Sequence, residues 1–328
     1  MGNQSDNLTN PAENGEDKEN AKKSATVRVL VSAIVVMALW GSIYPFIQLG
    51  YSYLGLDKSN VFDLLLFAGA RFLVSGAVLS AFCFARKKTQ GLKSGKTLGF
   101  LALFALFSVV LHYSFTYISL AHIESGKTAL LKQSCVLVFV CFSFLFIRED
   151  KFSWQKIVGA VLGIASIVIV NMEAFRFSFS LGALLVVAAS LCTVVYNVIF
   201  KKRLSVDPLA ATGLAQFAGG ALLTLAGVCG GGAFRTFSPN AAAVCAYIIV
   251  ATIVSYGLWF YILGKYDLSR LFIVKMSEPL FAALFAFVLP VGGTLKIEHL
   301  IAFALIAAAV VVSNVKFTKK PKKEKEIL

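Results

Sequence analysis

Residues 29–49 have the sequence VLVSAIVVMALWGSIYPFIQL, an apolar run that contains no charged side chain. A helix needs about 20 mostly apolar residues to cross the hydrocarbon core of a bilayer. The run is too long for the apolar part of a signal peptide, and further runs of the same kind follow at once. The stretch therefore predicts a retained first helix of a protein that crosses a membrane several times.

The rest of the chain repeats this pattern. Hydrophobic residues make up 58% of the 328 residues and charged residues only 15%, whereas a soluble domain carries about 25% charged residues. The predicted fold class is therefore an all-α integral membrane protein with ten transmembrane helices. They are predicted at residues 29–50, 61–85, 98–120, 126–147, 154–171, 180–200, 208–229, 241–263, 269–290 and 298–315.

Polar segments flank these helices. Residues 1–28 have little apolar content and are predicted to form a disordered polar tail, and residues 316–328 are predicted to form a basic cytoplasmic tail. The net charge is +14, but the basic residues cluster at helix ends, where they set topology. The expected partners are therefore a small-molecule substrate and the lipid bilayer, and no nucleic acid.

Metal and cofactor chemistry has no support in the sequence. The six cysteines form no Cys-x-x-Cys pair, and the three histidines are scattered. Neither a cofactor nor a metal is therefore predicted.

Lysine and arginine are concentrated in alternate connections. The segments after the second, fourth and sixth predicted helices and the C-terminal tail are basic, and the opposite connections carry one positive charge each. With ten helices, every basic segment falls on the same side of the membrane. The positive-inside rule then predicts that both termini are cytoplasmic and that the protein is a multi-pass protein of the cell membrane.

An internal repeat divides the chain. A shift of 143 positions superimposes scarce polar residues on each other: Tyr113 on Tyr256, Lys132 on Lys275, Ser134 on Ser277, Asn171 on Asn314 and Glu124 on Asp267. The sequence thus predicts two five-helix repeats, residues 29–171 and 180–315. Because five is odd, the second repeat enters the membrane inverted. Inverted repeats are typical of transporters whose substrate site lies between the halves.

Three motifs resemble a known family. They are Leu39-Trp40-Gly41-Ser42-Ile43-Tyr44-Pro45-Phe46, Ala70-Arg71-Phe72-Leu73 and Ser277-Glu278-Pro279-Leu280-Phe281-Ala282-Ala283. Together with the repeat they resemble the EamA-type members of the drug/metabolite transporter superfamily, over nearly all of residues 29–315. The resemblance implies a permease that moves small metabolites by alternating access, and it leaves the substrate open.

Four ionisable residues lie within predicted spans: Arg71, Lys132, Lys275 and Glu278. A charge at the centre of a span costs about 2.5–3.5 kcal/mol on insertion scales, so such residues usually face a cavity or a partner. Glu278 follows Lys275 by three positions and can pair with it on one helical face. Lys132 and Arg71 then have no visible anion in the spans.

The missing anion can be the cargo. We expect a carboxylate or phosphate of the substrate to bind between Lys132 and Lys275, with Arg71, Ser134 and Ser277 as further candidates. Plastid sugar-phosphate translocators, distant relatives in the superfamily, look similar in placing basic residues on equivalent helices. As alternatives, each lysine can extend to the headgroups, and Arg71 can serve structural pairing.

Aromatic residues form a second candidate set. The repeat mates Tyr113 and Tyr256, together with Tyr44, Tyr196 and Trp40, are candidates to line a substrate cavity. Aromatic residues are also common at membrane interfaces and in packed helix contacts. Both interpretations are therefore open for this set.

The predicted function is a secondary transporter for a small anionic or zwitterionic metabolite. Glu278 is the candidate for ion coupling, with a plain salt bridge to Lys275 as the alternative. A second possibility is an amino-acid or drug exporter of the same fold coupled to protons through Glu278.

An intramembrane enzyme ranks lowest, because the sequence has no HExxH or DDxxD motif, and the protein is not expected to be an enzyme. A monomer and a homodimer are both compatible with the sequence.

Overall fold

The structure is a computed structural model of the chain. It describes residues 11–88, 92, 94–120, 132–147, 152–170, 180–202, 206–291 and 296–314. For residues 11–23, 120, 134, 137, 141, 146, 167, 170 and 314 it describes the backbone alone.

Every regular element in these ranges is helical. The helices are α1 (Pro11–Tyr53), α2 (Val61–Ala85), α3 (Gly95–Ala105), α4 (His112–Leu120), α5 (Ser134–Phe146), α6 (Trp154–Val170), α7 (Leu181–Lys202), α8 (Pro208–Cys229), α9 (Pro239–Leu263), α10 (Leu268–Lys275), α11 (Glu278–Val288) and α12 (Ile297–Asn314). A π-helical stretch, Leu106–Leu111, joins α3 to α4. The prediction of an all-α membrane protein is confirmed at this level.

Seven of these segments are long and apolar enough to cross a membrane. They are Ser24–Tyr53, Val61–Ala85, Gly95–Ser119, Leu181–Lys202, Pro208–Cys229, Pro239–Leu263 and Leu268–Val288. The predicted spans at 126–147, 154–171 and 298–315 correspond to the shorter apolar helices α5, α6 and α12, and residues 126–131 lie outside the described residues. Outward-facing valine, leucine and phenylalanine side chains cover the helices, as expected where the solvent is lipid.

Helix boundaries follow local capping chemistry. The predicted bounds of α2 and α8 are confirmed. The Asn60 side chain accepts a hydrogen bond from the Phe62 amide at 3.1 Å at the start of α2, and Asp207 accepts two from backbone amides at the start of α8. These caps satisfy amides that have no partner within the helix.

The N-terminal segment differs from the prediction. Residues 1–28 were expected to be a disordered tail, but α1 begins at Pro11. Proline suits the first helical position because it has no amide hydrogen to satisfy there. The alanine, glutamate and lysine residues that follow are strong helix formers, so the polar segment extends the first apolar helix without being apolar itself. The expected basic tail, residues 316–328, lies outside the described residues.

The predicted continuous span 269–290 is interrupted. Helix α10 ends at Lys275 and α11 begins at Glu278, so Met276 and Ser277 separate them. Pro279 contributes to the break, because it has no amide hydrogen to donate to the Lys275 carbonyl and it lies in the first turn of α11, where no such donor is needed. In the first half of the chain, Lys132 is the repeat mate of Lys275. Gln133 is a turn residue between Lys132 and Ser134, the first residue of α5. Both interruptions lie at the lysines of the repeat.

Helices α2 and α8 pack along each other at close range through glycines. A Cβ atom on Gly227 would lie 2.7 Å from the backbone of Leu66, and one on Gly213 would lie 2.9 Å from Cβ of Leu79. Small residues allow such close helix approach in membranes. Helices α6 and α12 form a second close pair, α1 packs on α9 and α11, and α7 packs on α4 and α5.

The close approach of α2 and α8 makes a testable prediction. Gly227→Ala would push a methyl group into the Leu66 backbone and should destabilise the protein by about 1–3 kcal/mol. The measurement is the apparent Tm of the purified protein in detergent. Gly99→Ala is the matched control, because Gly99 is exposed on α3 and has open space around it. Equal Tm values for the two variants would contradict the packing described here.

Candidate functional site

A cavity of about 390 Å³ lies between α1, α2, α4, α7, α9, α10 and α11. Its wall contains all four ionisable residues predicted from the sequence and all five predicted aromatic residues. They are Arg71, Lys132, Lys275, Glu278, Trp40, Tyr44, Tyr113, Tyr196 and Tyr256. The fold thus brings together residues that are up to 238 positions apart along the chain.

The cavity reaches the surface at one end. Lys58, an exposed residue in the connection between α1 and α2, belongs to its wall. His299, in the first turn of α12, lines the cavity as well. The exposed Lys58 therefore places one end of the cavity at the surface, whereas His299 is buried.

Glu278 forms ion pairs with both Lys275 and Lys132. Lys275 Nζ lies 2.6 Å from Glu278 Oε2, and Lys132 Nζ lies 3.7 Å from Oε1. Tyr44 joins the group, since its hydroxyl accepts a hydrogen bond from Lys132 at 2.5 Å and donates one to Glu278 Oε1 at 2.9 Å. The expectation that Lys132 has no anion in the spans is therefore wrong, because the lysines share one internal carboxylate.

The helix interruptions create this arrangement. Lys275 is the last residue of α10 and Glu278 the first of α11, so the carboxylate lies at a helix N-terminus, which favours negative charge. Lys132 reaches the same carboxylate from the equivalent interruption in the first half. Chain breaks that face a cavity are tolerated at membrane depth, because the cavity can satisfy their polar groups.

Aromatic rings cover the lysines. Lys275 Nζ lies 4.2 Å from the centroid of the Trp40 ring, and Lys132 Nζ lies 5.1 Å from that of Tyr44. Ring faces attract cations at such distances. Lys132 and Lys275 are only 8% and 5% exposed, so neither lysine extends to the headgroups in this structure.

Among the buried cations in the described cavity wall, Arg71 is the one without a carboxylate partner. Its Nε donates a hydrogen bond to Thr252 Oγ1 at 2.8 Å, and its Nη1 is buried without a partner there. The guanidinium carbon lies 4.5 Å from the Phe72 ring centroid and 5.5 Å from that of Tyr113. A buried donor left unpaired costs about 1–3 kcal/mol, and more when it is charged. Arg71 therefore has unused capacity to bind an anion.

The two tyrosines that the repeat relates to each other are in contact. The hydroxyls of Tyr113 and Tyr256 form a hydrogen bond, although the residues are 143 positions apart. Trp40 packs on Tyr256 with ring centroids 5.3 Å apart, and Phe72 packs on Tyr113 at 4.4 Å. The aromatic set is thus a connected wall beside Arg71.

Unlike the charged and aromatic candidates, neither candidate serine is found in the described part of the cavity wall. Ser277 is buried, and its hydroxyl donates to the Val274 carbonyl at 2.7 Å within the interruption between α10 and α11. It is not part of the cavity wall among the described residues. The side chain of Ser134 lies outside the described residues.

The sequence analysis missed several wall residues. Gln48, Tyr51, Thr116, Tyr117, Gln133 and His299 line the cavity, and so does His112. The spacing of polar and aromatic residues along a helix could have predicted some of them. Gln48 and Tyr51 follow Tyr44 at intervals of four and three residues, and Thr116 and Tyr117 follow Tyr113 by three and four positions, so each set lies on one helix face.

Basic side chains connect the ends of helices α7 and α9 to neighbouring segments. Lys201, near the end of α7, donates hydrogen bonds to the carbonyl oxygens of Leu263 at 2.9 Å and Tyr266 at 2.8 Å. Lys156 of α6 forms an ion pair with Asp267 at 3.5 Å. These contacts fix the corner between α9 and α10 to α6 and α7.

Comparisons with known proteins agree with this architecture. The EamA-like transporter family matches residues 27–172 and again residues 180–315. An uncharacterized transporter of Archaeoglobus fulgidus is 27% identical over 77% of this chain and 86% of its own length. The inner membrane transporter YedA of Escherichia coli K12 is 25% identical over 85% of this chain and 88% of its own length.

A solved structure shares the fold. A crystal structure of a protein matches 88% of this chain and 98% of its own with a TM-score of 0.72 and 21% sequence identity. The names of the family and of the relatives indicate a transporter rather than an enzyme. With seven segments of spanning length in the described residues and two matches that together cover most of the sequence, the chain is a multi-pass membrane protein that belongs to the EamA-like transporter family.

Proposed function

We propose that the protein is a secondary transporter that moves a small anionic or zwitterionic metabolite across the cytoplasmic membrane by alternating access. In this proposal ten helices span the membrane as two inverted five-helix repeats, residues 29–171 and 180–315, with both termini in the cytoplasm. The substrate site is the cavity with Lys132, Lys275 and Arg71 in its wall.

Several features support the inverted repeat. The two family matches have nearly the bounds of the proposed repeats. The helix interruptions at Lys132 and Lys275 recur at equivalent positions, and Tyr113 contacts its repeat mate Tyr256. The helices that would correspond between the repeats, α2 with α8 and α6 with α12, pack in pairs. Interrupted helices that meet near the middle of a membrane are typical substrate sites of secondary transporters.

The surplus of positive charge in the cavity is the observation that carries the proposal. Arg71, Lys132 and Lys275 face one carboxylate, Glu278, in the described wall, and all four side chains are buried. Buried charges are retained at a cost of several kcal/mol each unless they are compensated. A substrate that brings its own negative charge would supply the compensation.

The contacts at the two ends of the bundle support alternating access. The cavity opens at the connection between α1 and α2, and the ends of α7 and α9 are fixed by Lys201 and Lys156. The positive-inside rule assigns the basic end of α7 to the cytoplasm. In this proposal the arrangement is an outward-open state with a closed cytoplasmic end.

An amino-acid or drug exporter coupled to protons through Glu278 is the second candidate. Glu278 favours it as the one carboxylate in the described wall of the cavity. In that mechanism a substrate ammonium or a proton would have to compete with the lysines that Glu278 already binds.

Removal of Arg71 tests the assigned site. Arg71→Gln should reduce uptake of an accepted anionic substrate at least 10-fold, because a charge-assisted hydrogen bond contributes about 1.5–3 kcal/mol. The measurement is counterflow into proteoliposomes with a panel of carboxylates, phosphorylated sugars and amino acids. Arg86→Gln is the matched control, since Arg86 lies exposed directly after α2. Uptake by Arg71→Gln at the control rate would refute the assignment.

Removal of Lys201 tests the proposed cytoplasmic closure. Lys201→Gln should weaken the contacts that favour the outward-open state, so a cysteine placed at Ala283 in the cavity wall should react several-fold more slowly with a membrane-impermeant thiol reagent added outside. The measurement uses a variant whose six native cysteines are replaced. Lys202→Gln, one position further and exposed, should leave the rate unchanged. Equal rates in both variants would exclude Lys201 as a closing contact.

A further inference from the structure

We infer that the cargo of this cavity is an organic dianion, a molecule with two negative charges and no ammonium group. The inference rests on the proposed transport function and narrows its substrate class. The evidence is the way in which the charges in the cavity wall are paired. This pairing favours an anionic over a zwitterionic substrate.

Both carboxylate oxygens of Glu278 already have partners in the cavity wall. Its Oε2 binds Lys275 at 2.6 Å, and its Oε1 accepts the Tyr44 hydroxyl at 2.9 Å with Lys132 at 3.7 Å. An ammonium that approached this carboxylate would also approach the two lysine ammoniums. Like charges repel at such distances, and the burial of Lys132, Lys275 and Glu278 limits screening by water. The site therefore disfavours zwitterions and cations.

Two buried positive charges remain after this pairing, apart from Lys58, which is exposed at the end of the cavity. Lys132 and Lys275 share one negative charge, which leaves one positive charge at the helix interruptions. Arg71 adds the second, because its hydrogen-bond partner Thr252 is neutral and its Nη1 has no partner among the described residues. A cargo with two negative charges would bring the buried site to neutrality, whereas a monoanion would leave one charge uncompensated.

The two surplus charges lie on different parts of the wall. The lysines contact Trp40 and Tyr44 of α1, whereas Arg71 lies on α2 against Phe72 and Tyr113. Two acidic groups on one molecule can each meet one of these positions. Ile43 and Ile47 of α1 and Ala283 of α11 are apolar residues of the same wall, which suits an apolar body joining the acidic groups.

Matched probes test the inference. Phenylsuccinate carries two carboxylates, 4-phenylbutyrate carries one, and phenylalanine carries one carboxylate and an ammonium, all on similar carbon skeletons. Phenyl phosphate carries two charges on one group and tests whether the charges must be separated. Binding is followed by tryptophan fluorescence at pH 7.5, since Trp40 lines the cavity and packs on Trp259 at 5.2 Å. The full chain with Trp154→Phe is used, because Trp154 is 70% exposed.

The expected result is that at least one of the two dianions binds at least 10-fold more tightly than 4-phenylbutyrate and phenylalanine. Arg71→Gln should reduce the ratio of dianion to monoanion affinity to about 3-fold or less, and Arg86→Gln should leave it unchanged. Each ratio is measured within one preparation, so partial misfolding of a variant does not alter it. Tighter binding of phenylalanine, an unchanged ratio in Arg71→Gln, or no binding of any probe would overturn the inference.

Counterflow of the same probes separates this inference from the transport function. Dianion binding without counterflow would support the substrate class and contradict the transport proposal. Counterflow of phenylalanine without dianion binding would support transport and overturn the substrate class.

Discussion

The ion pair that Glu278 forms with Lys275, extended to Lys132, is the interaction around which the cavity is built. Charges in a bilayer-spanning bundle are stable only when they face a partner or water. A single carboxylate here holds one lysine from each half of the chain. The halves are therefore connected electrostatically at the centre of the cavity, and a change at one lysine must alter the environment of the other.

The interruption between α10 and α11 adds to that interaction by placing the carboxylate at a helix N-terminus. A continuous helix over 269–290 would place Lys275 and Glu278 on one helical face, but their main chains would be bonded within the helix. The break at Met276 and Ser277 gives Glu278 the first position of α11 and leaves Lys275 at the end of α10. Helix dipole, lysine ammonium and tyrosine hydroxyl then all favour the ionised carboxylate.

Much of this arrangement could be predicted from the sequence because its signals are local or repeated. Apolar runs fixed the positions of α2 and α8, and scarce polar matches identified Tyr113 with Tyr256 and Lys132 with Lys275. The ion pairs between the two halves of the chain could not be predicted in the same way. That Lys132 reaches Glu278, 146 positions away, depends on how the halves pack. The break at Met276 and the role of Ser277 depend on competition between helix hydrogen bonds and Pro279, which composition does not decide.

The hydroxyl contact between Tyr113 and Tyr256 has a geometric consequence. In a carrier with two inverted repeats, switching the open side exchanges the conformations of the halves, so each residue takes over the surroundings of its mate. Most contacts must then break and re-form elsewhere. A residue that touches its own mate keeps the same partner after the exchange. In the proposed alternating-access cycle, the Tyr113–Tyr256 contact would therefore persist while the rest of the interface between the halves is rebuilt.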